Sequence, residues 1–174
     1  VAFYSQASSL LGPGGDTNGA IDVFVRDRVA GTTERVSVGP GGLQSNGNSL
    51  GGSISADGRY VAFVSDANNL LGPGIDANGA RDAFVYDRVN HVTELVSVGP
   101  GGLQGNGITS DAWISRDGRF VTFDTQANNL LGPGADTNGV DDAYLRDRVA
   151  GTTERISVGP GGVQGDGFSF AGSV

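Results

Sequence analysis

Three loops hold the residues of this chain best suited to chemistry. They are Asp16-Thr17-Asn18-Gly19-Ala20-Ile21-Asp22, Asp76-Ala77-Asn78-Gly79-Ala80-Arg81-Asp82 and Asp136-Thr137-Asn138-Gly139-Val140-Asp141-Asp142. Calcium takes about six to eight oxygen ligands, from carboxylates, amide side chains, carbonyls and water, and a turn glycine lets a short loop wrap around it. Set against an EF-hand-type loop, Asp16 falls at the third position, Asn18 at the fifth, Gly19 at the turn, the Ala20 carbonyl at the seventh and Asp22 at the ninth. The spacing therefore predicts up to three calcium sites. Their ligands would be Asp16, Asn18, Ala20 and Asp22; Asp76, Asn78, Ala80 and Asp82; and Asp136, Asn138, Val140 and Asp142. Gly14 stands at the first position and Val25 at the twelfth, so no bidentate glutamate closes the shell. Affinity of about 10⁻⁴ to 10⁻³ M, as in extracellular modules, is then expected, with a structural role. The competing reading is that Asp and Asn cap the turns of a Gly-rich loop.

Other reactive groups are scarce. His91 is the only histidine, there is no cysteine, and no Gly-x-Ser-x-Gly occurs, so triad, zinc and thiolate chemistries lack their parts and no enzyme is expected. The arginines and aspartates of Arg26-Asp27-Arg28 and its counterparts are expected to serve turns and ion pairs.

The elements that position the loops repeat with a period of 60 residues. Val1-Ala2-Phe3 returns as Val61-Ala62-Phe63 and Val121-Thr122-Phe123, and Leu10 to Gly14 returns at Leu70 and Leu130, without a gap. The units are 1–60, 61–120 and 121–174, the last truncated. The six absent residues correspond to Ser55 to Tyr60, a hairpin turn. With no methionine and with Val1 inside an expected strand, the chain is expected to be a piece of something larger or a processed product.

Each period predicts four short strands, about 52–55, 59–65, 82–88 and 92–98 in the middle copy, with Asp57-Gly58 suited to a two-residue hairpin between the first two. Tyr60 to Val64 and Ala83 to Tyr86 are nearly continuous apolar runs, as expected where both sheet faces are covered. Thr33-Glu34-Arg35 and its counterparts place charge on the fourth strand, an expected protection of a sheet edge. Stacked four-stranded sheets with a charged rim describe β-propeller blades. Three blades do not close a ring of about four to eight, so an all-β, six-bladed ring is expected, closed by a longer chain or by a homodimer joining the cut hairpin ends.

Ile54-Ser55-Ala56-Asp57-Gly58-Arg59-Tyr60-Val61-Ala62-Phe63 and Ile114-Ser115-Arg116-Asp117-Gly118-Arg119-Phe120-Val121-Thr122-Phe123 resemble the Ser-x-Asp-Gly-(Arg/Lys)-aromatic-(Ile/Val)-Ala-Phe signature of TolB-like propeller repeats. That resemblance implies a secreted or cell-envelope protein with a six-bladed propeller that binds partners, some propellers of this type accompanying hydrolase domains. The loops also resemble the calcium loops of integrin-type propeller blades. The repeat is longer than the family's blades, with its surplus in the aspartate loop and in a Gly-rich link between blades, where function should differ.

In a propeller, Gln44, Gln104 and Gln164 precede the innermost strand and are candidate ligand-binding amides at one channel mouth, or else they bond the glycine-rich link. Trp113, which replaces Ser53 and Ser173, is a candidate stacking surface for a sugar or peptide. The net charge of −8 argues against nucleic acid, and no apolar run approaches the roughly 20 residues that span a bilayer. The expected function is a calcium-stabilised, non-enzymatic binding or structural module, extracellular or in the cell envelope, with a protein or glycan ligand. A lectin is the alternative, and an accessory propeller of an extracellular hydrolase the third reading.

Overall fold

The computed structural model describes residues 1–174. Eleven strands form three antiparallel sheets. The first holds β1 (Ala2–Ser5), β2 (Asp22–Asp27) and β3 (Thr32–Arg35). The second is the meander β4 (Ser49–Ile54), β5 (Tyr60–Ser65), β6 (Asp82–Asp87) and β7 (Val92–Leu95). The third repeats it as β8 (Thr109–Ile114), β9 (Phe120–Thr125), β10 (Asp142–Asp147) and β11 (Thr152–Arg155). No helix is long and apolar enough to cross a membrane.

The apolar runs follow from stacking. Successive side chains on a strand point to opposite faces. Val61 and Phe63 of β5 thus pack with Val23, Val25, Val36 and Phe84 between sheets one and two, while Ala62 and Val64 pack with Val85, Val121, Phe123 and Tyr144 between sheets two and three. With both faces of the middle sheet buried, an alternating polar pattern has no place there.

Two expectations are corrected. The hairpin at Asp57-Gly58 is longer than two residues: the Ser55 N–H donates to the Tyr60 carbonyl at 2.9 Å, and the Asp57 carboxylate, accepting from Ser55 Oγ and the Arg59 N–H, holds the loop. Gly58 takes the positive φ of 75° that this turn needs. The charges on the fourth strand also do more than protect an edge. Arg35 turns inward to the aspartate loop, and Glu34 and Glu94 pair with Arg88 and Arg148 of the following sheet.

The Gly-rich link passes tightly beneath the next sheet. A Cβ on Gly47 would lie 2.8 Å from the Ala67 nitrogen, so only glycine allows the approach. There Asn46 exchanges bonds with Asn68 and Asn69, and Asn106 repeats them with Asn128 and Asn129.

Candidate functional site

In each aspartate loop the final aspartate opens the strand next to the outermost one of its sheet and is fully buried: Asp22, Asp82 and Asp142. Asp22 Oδ1 accepts from Ser37 Oγ at 2.5 Å and Ser45 Oγ at 2.8 Å. Asp22 Oδ2 accepts from Asn18 Nδ2 at 2.9 Å and Arg35 Nη1 at 3.0 Å. The same Arg35 nitrogen lies 3.3 Å from Asp16, and Nη2 donates to the Gly15 carbonyl at 2.6 Å. A guanidinium whose side chain is 7% exposed thus occupies the middle of the first loop. The planar fork suits this task, since it serves two carboxylates and a carbonyl at once.

Loop three keeps the arginine on its final aspartate. Arg155 reaches Asp142 at 3.2 Å and the Ala135 carbonyl at 2.6 Å. Gln164 Nε2 bridges Asp136 and Asp142 at 2.9 and 2.8 Å, and Tyr144 Oη donates to Asp136 at 3.3 Å. Burial, and then the Asp136 charge, push the Tyr144 hydroxyl far above its usual range.

The middle loop differs. Leu95 stands in place of the arginine, and Gly105 in place of Ser45, as Gly165 does in loop three. Gln104 Nε2 alone bridges Asp76 at 2.7 Å and Asp82 at 2.8 Å, and Ser97 and Asn78 supply the other donors to Asp82. Burial raises the carboxyl of Asp76 and, against three hydrogen bonds, that of Asp82.

The predicted ligands are therefore brought together, but with their polar groups already committed. Asn18, Asn78 and Asn138 turn their amide nitrogens to the aspartate and give their oxygens to the N–H groups of Ala20, Ala80 and Val140. Nowhere do three acidic or imidazole side chains converge closely enough for a metal cage. In loops one and three the carboxylates hold an internal arginine. In the middle loop the guanidinium is missing and two carboxylates remain. Gln44 bonds Thr17 across the first loop, so all three glutamines serve the loops rather than an open channel mouth.

A cleft of about 340 Å³ lies at the inner strands, between Ala2, Phe3 and Tyr4 of β1, Gly51 to Ser53 of β4 and Asp111 to Trp113 of β8. Trp113 is 39% exposed there and Tyr4 56%.

A group that sequence reasoning missed lies behind the cleft. Asp124 faces Asp111 across the β8–β9 ladder and Ala143 across β9–β10, and Asp141 lies two residues before Ala143, so all three aspartates share one face. Asp124 Oδ2 and Asp141 Oδ1 are buried without partners. Burial, with Asp111 and Asp141 nearby, pushes the Asp124 carboxyl up to about 6. The signal was available, because the other repeats place Tyr4 and Val64, Gly51, and Ile21 and Arg81 at these positions.

No protein-family model matches the chain, and no curated protein matches it by sequence. Among solved structures, a protein assigned as TolB from Agrobacterium tumefaciens matches over 80% of this chain at 17% identity and a TM-score of 0.50. The chain has a TolB-like β-propeller fold. TolB from Acinetobacter baumannii matches over 81% at 15% identity and a TM-score of 0.47. The chain spans 42% and 28% of the lengths of these TolB structures.

Proposed function

We propose that the chain is a non-enzymatic propeller module of a secreted or cell-envelope protein, and that it binds a segment of a partner protein in the cleft at its inner strands. The observation carrying this reading is the division of labour between polar groups. The loop side chains suited to chemistry are consumed by buried bonds, while Trp113, Tyr4 and Asp111 line the open cleft. Half-exposed aromatics beside a carboxylate suit an apolar or basic peptide, since aromatic anchors carry much of the energy of protein interfaces.

Trp113 is the only tryptophan, so its fluorescence reports on the cleft directly. Titration with a peptide library should give ligands that shift the emission and whose affinity falls at least tenfold in Trp113→Ala. Ligands that bind both forms equally without an emission change would sink the reading. A second reading, glycan binding by stacking on Trp113, is favoured by its exposure and is separated by a glycan array.

Calcium belongs to this reading at the middle loop alone, where Asp76 and Asp82 lack a cationic partner. Calorimetric titration is expected to give one weak site per chain. Three sites would contradict the role assigned to Arg35 and Arg155, and no heat would remove calcium from the account.

A further inference from the structure

We propose that the middle aspartate loop is a docking site for an arginine side chain of a partner protein, whose guanidinium takes the place that Arg35 and Arg155 fill in the other two loops. Those loops show what the frame holds. Arg35 Nη1 donates to Asp22 at 3.0 Å while its Nη2 donates to the Gly15 carbonyl at 2.6 Å. Arg155 does the same with Asp142 at 3.2 Å and the Ala135 carbonyl at 2.6 Å. Each guanidinium spans a carboxylate and a carbonyl from a side chain that is only 7% or 8% exposed. A planar fork makes both bonds at once, which the point charge of a lysine ammonium does not.

The middle loop keeps the acceptors and lacks the donor. Leu95, the counterpart of the two arginines, packs against the apolar cluster between sheets one and two and brings no polar group. The Ile75 carbonyl, the counterpart of the Gly15 and Ala135 carbonyls, accepts no backbone N–H, and Leu95 has nothing to give it. Asp76 is 6% exposed, yet only its Oδ1 is engaged, by Gln104. Its Oδ2 lacks the partner that Tyr144 Oη gives to Asp136 Oδ2, position 84 being phenylalanine. The glutamine does not stand in the way. Gln164 bridges Asp136 and Asp142 alongside Arg155 in loop three, just as Gln104 bridges Asp76 and Asp82. The middle sheet has a neighbour packed on each face, so this shortfall is internal to the stack.

The rim of the middle loop is open. Ile75 is 61% exposed, and Asn78 is exposed where Asn18 and Asn138 are half-buried. Ile75 also stands where loops one and three have Gly15 and Ala135, which offers an arriving arginine an apolar flank for its methylene stem. The docking site is separate from the cleft at Trp113. It uses the carboxylates assigned above to calcium, so the two cations exclude one another.

Calorimetry with N-acetyl-arginine amide tests this on the whole chain. One saturable site per chain is expected, with the lysine amide at least about tenfold weaker because its ammonium lacks the fork. Leu95→Arg supplies the guanidinium from within and should abolish binding, whereas Leu95→Met, which keeps an apolar side chain, should retain it. Arg155→Leu opens loop three and should raise the count to two sites; where that variant does not fold, the Leu95 pair still decides. Equal affinity for the lysine amide, or binding that survives Leu95→Arg, would overturn the docking site. Surviving binding that shifts the Trp113 emission would place the cation in the cleft and leave the peptide-binding reading standing. Calcium heat without arginine heat would remove the docking site and keep the calcium reading, and arginine heat without calcium heat would do the reverse.

Discussion

The first and middle aspartate loops share one frame and solve one problem in different ways. Both bury two carboxylates at the head of a strand, Asp16 with Asp22 and Asp76 with Asp82. The first answers with Arg35, and the middle one, where position 95 is leucine, with Gln104. The difference teaches that Asp-x-Asn-Gly-x-x-Asp does not by itself specify an ion. The frame specifies buried negative charge, and residues distant in sequence, on the outermost strand and in the following link, neutralise it.

The sharpest way to break the comparison is Arg35→Leu, which gives the first loop the middle loop's residue. Removing one partner of a buried ion pair strands the other charge and costs about 3 to 5 kcal/mol. Urea denaturation should show a loss at the lower end of that range, since Gln44 can swing from Thr17 toward Asp16 as Gln104 does toward Asp76. A loss below about 0.5 kcal/mol, the range of surface substitutions, would mean that Arg35 is no more than a rim charge. Gln104→Leu comes next. It removes the donor that bridges two buried carboxylates, and bonds to charged groups are worth about 1.5 to 3 kcal/mol, so a loss of about 2 kcal/mol is expected.

This contrast also marks what was legible in the sequence. The repeat, its register, the strands and the stacked-sheet architecture could all be read, because apolar periodicity and turn glycines are local signals. The aspartates and asparagine of each loop were likewise legible as a cluster, and the asparagine bonds the final aspartate in all three. Their neutralisation was not legible, since Arg35 lies 19 and 13 residues from the aspartates it serves and reads locally as a charge on an edge strand. The Asp111, Asp124 and Asp141 group escaped for a different reason. It arises where single residues depart from the repeat, on three separate segments that only the sheet brings together.

The reverse exchange, Leu95→Arg, should sharpen the comparison with a smaller effect. A guanidinium placed over Asp76 and Asp82 gains charge-assisted bonds but loses leucine packing and its own hydration. A net gain of about 1 kcal/mol is expected, together with loss of any calcium response by the middle loop. Thermal melting with and without calcium checks both.

Acid separates the two kinds of aspartate without altering either loop. Asp76, Asp82 and Asp124 have carboxyls raised by burial, so the folded state holds their protons more tightly than the unfolded chain does. Their contribution is greatest below the unfolded value of about 3.9 and is lost as pH rises, for Asp124 through about 6. Asp87 and Asp147 behave oppositely. Paired with Arg59 and Arg119 and accepting turn N–H groups, they are held well below the usual carboxylate range, and their contribution disappears only as pH falls under it. The melting temperature should therefore fall from pH 4.5 to pH 6.5, and fall again in stronger acid. Asp124→Val, which installs the residue found at position 64, should flatten the first decline by removing its largest raised carboxyl while keeping the second. An unchanged slope in that variant would show that Asp124 is solvated through the cleft behind which it lies, and that burial on this face is less complete than between the first two sheets.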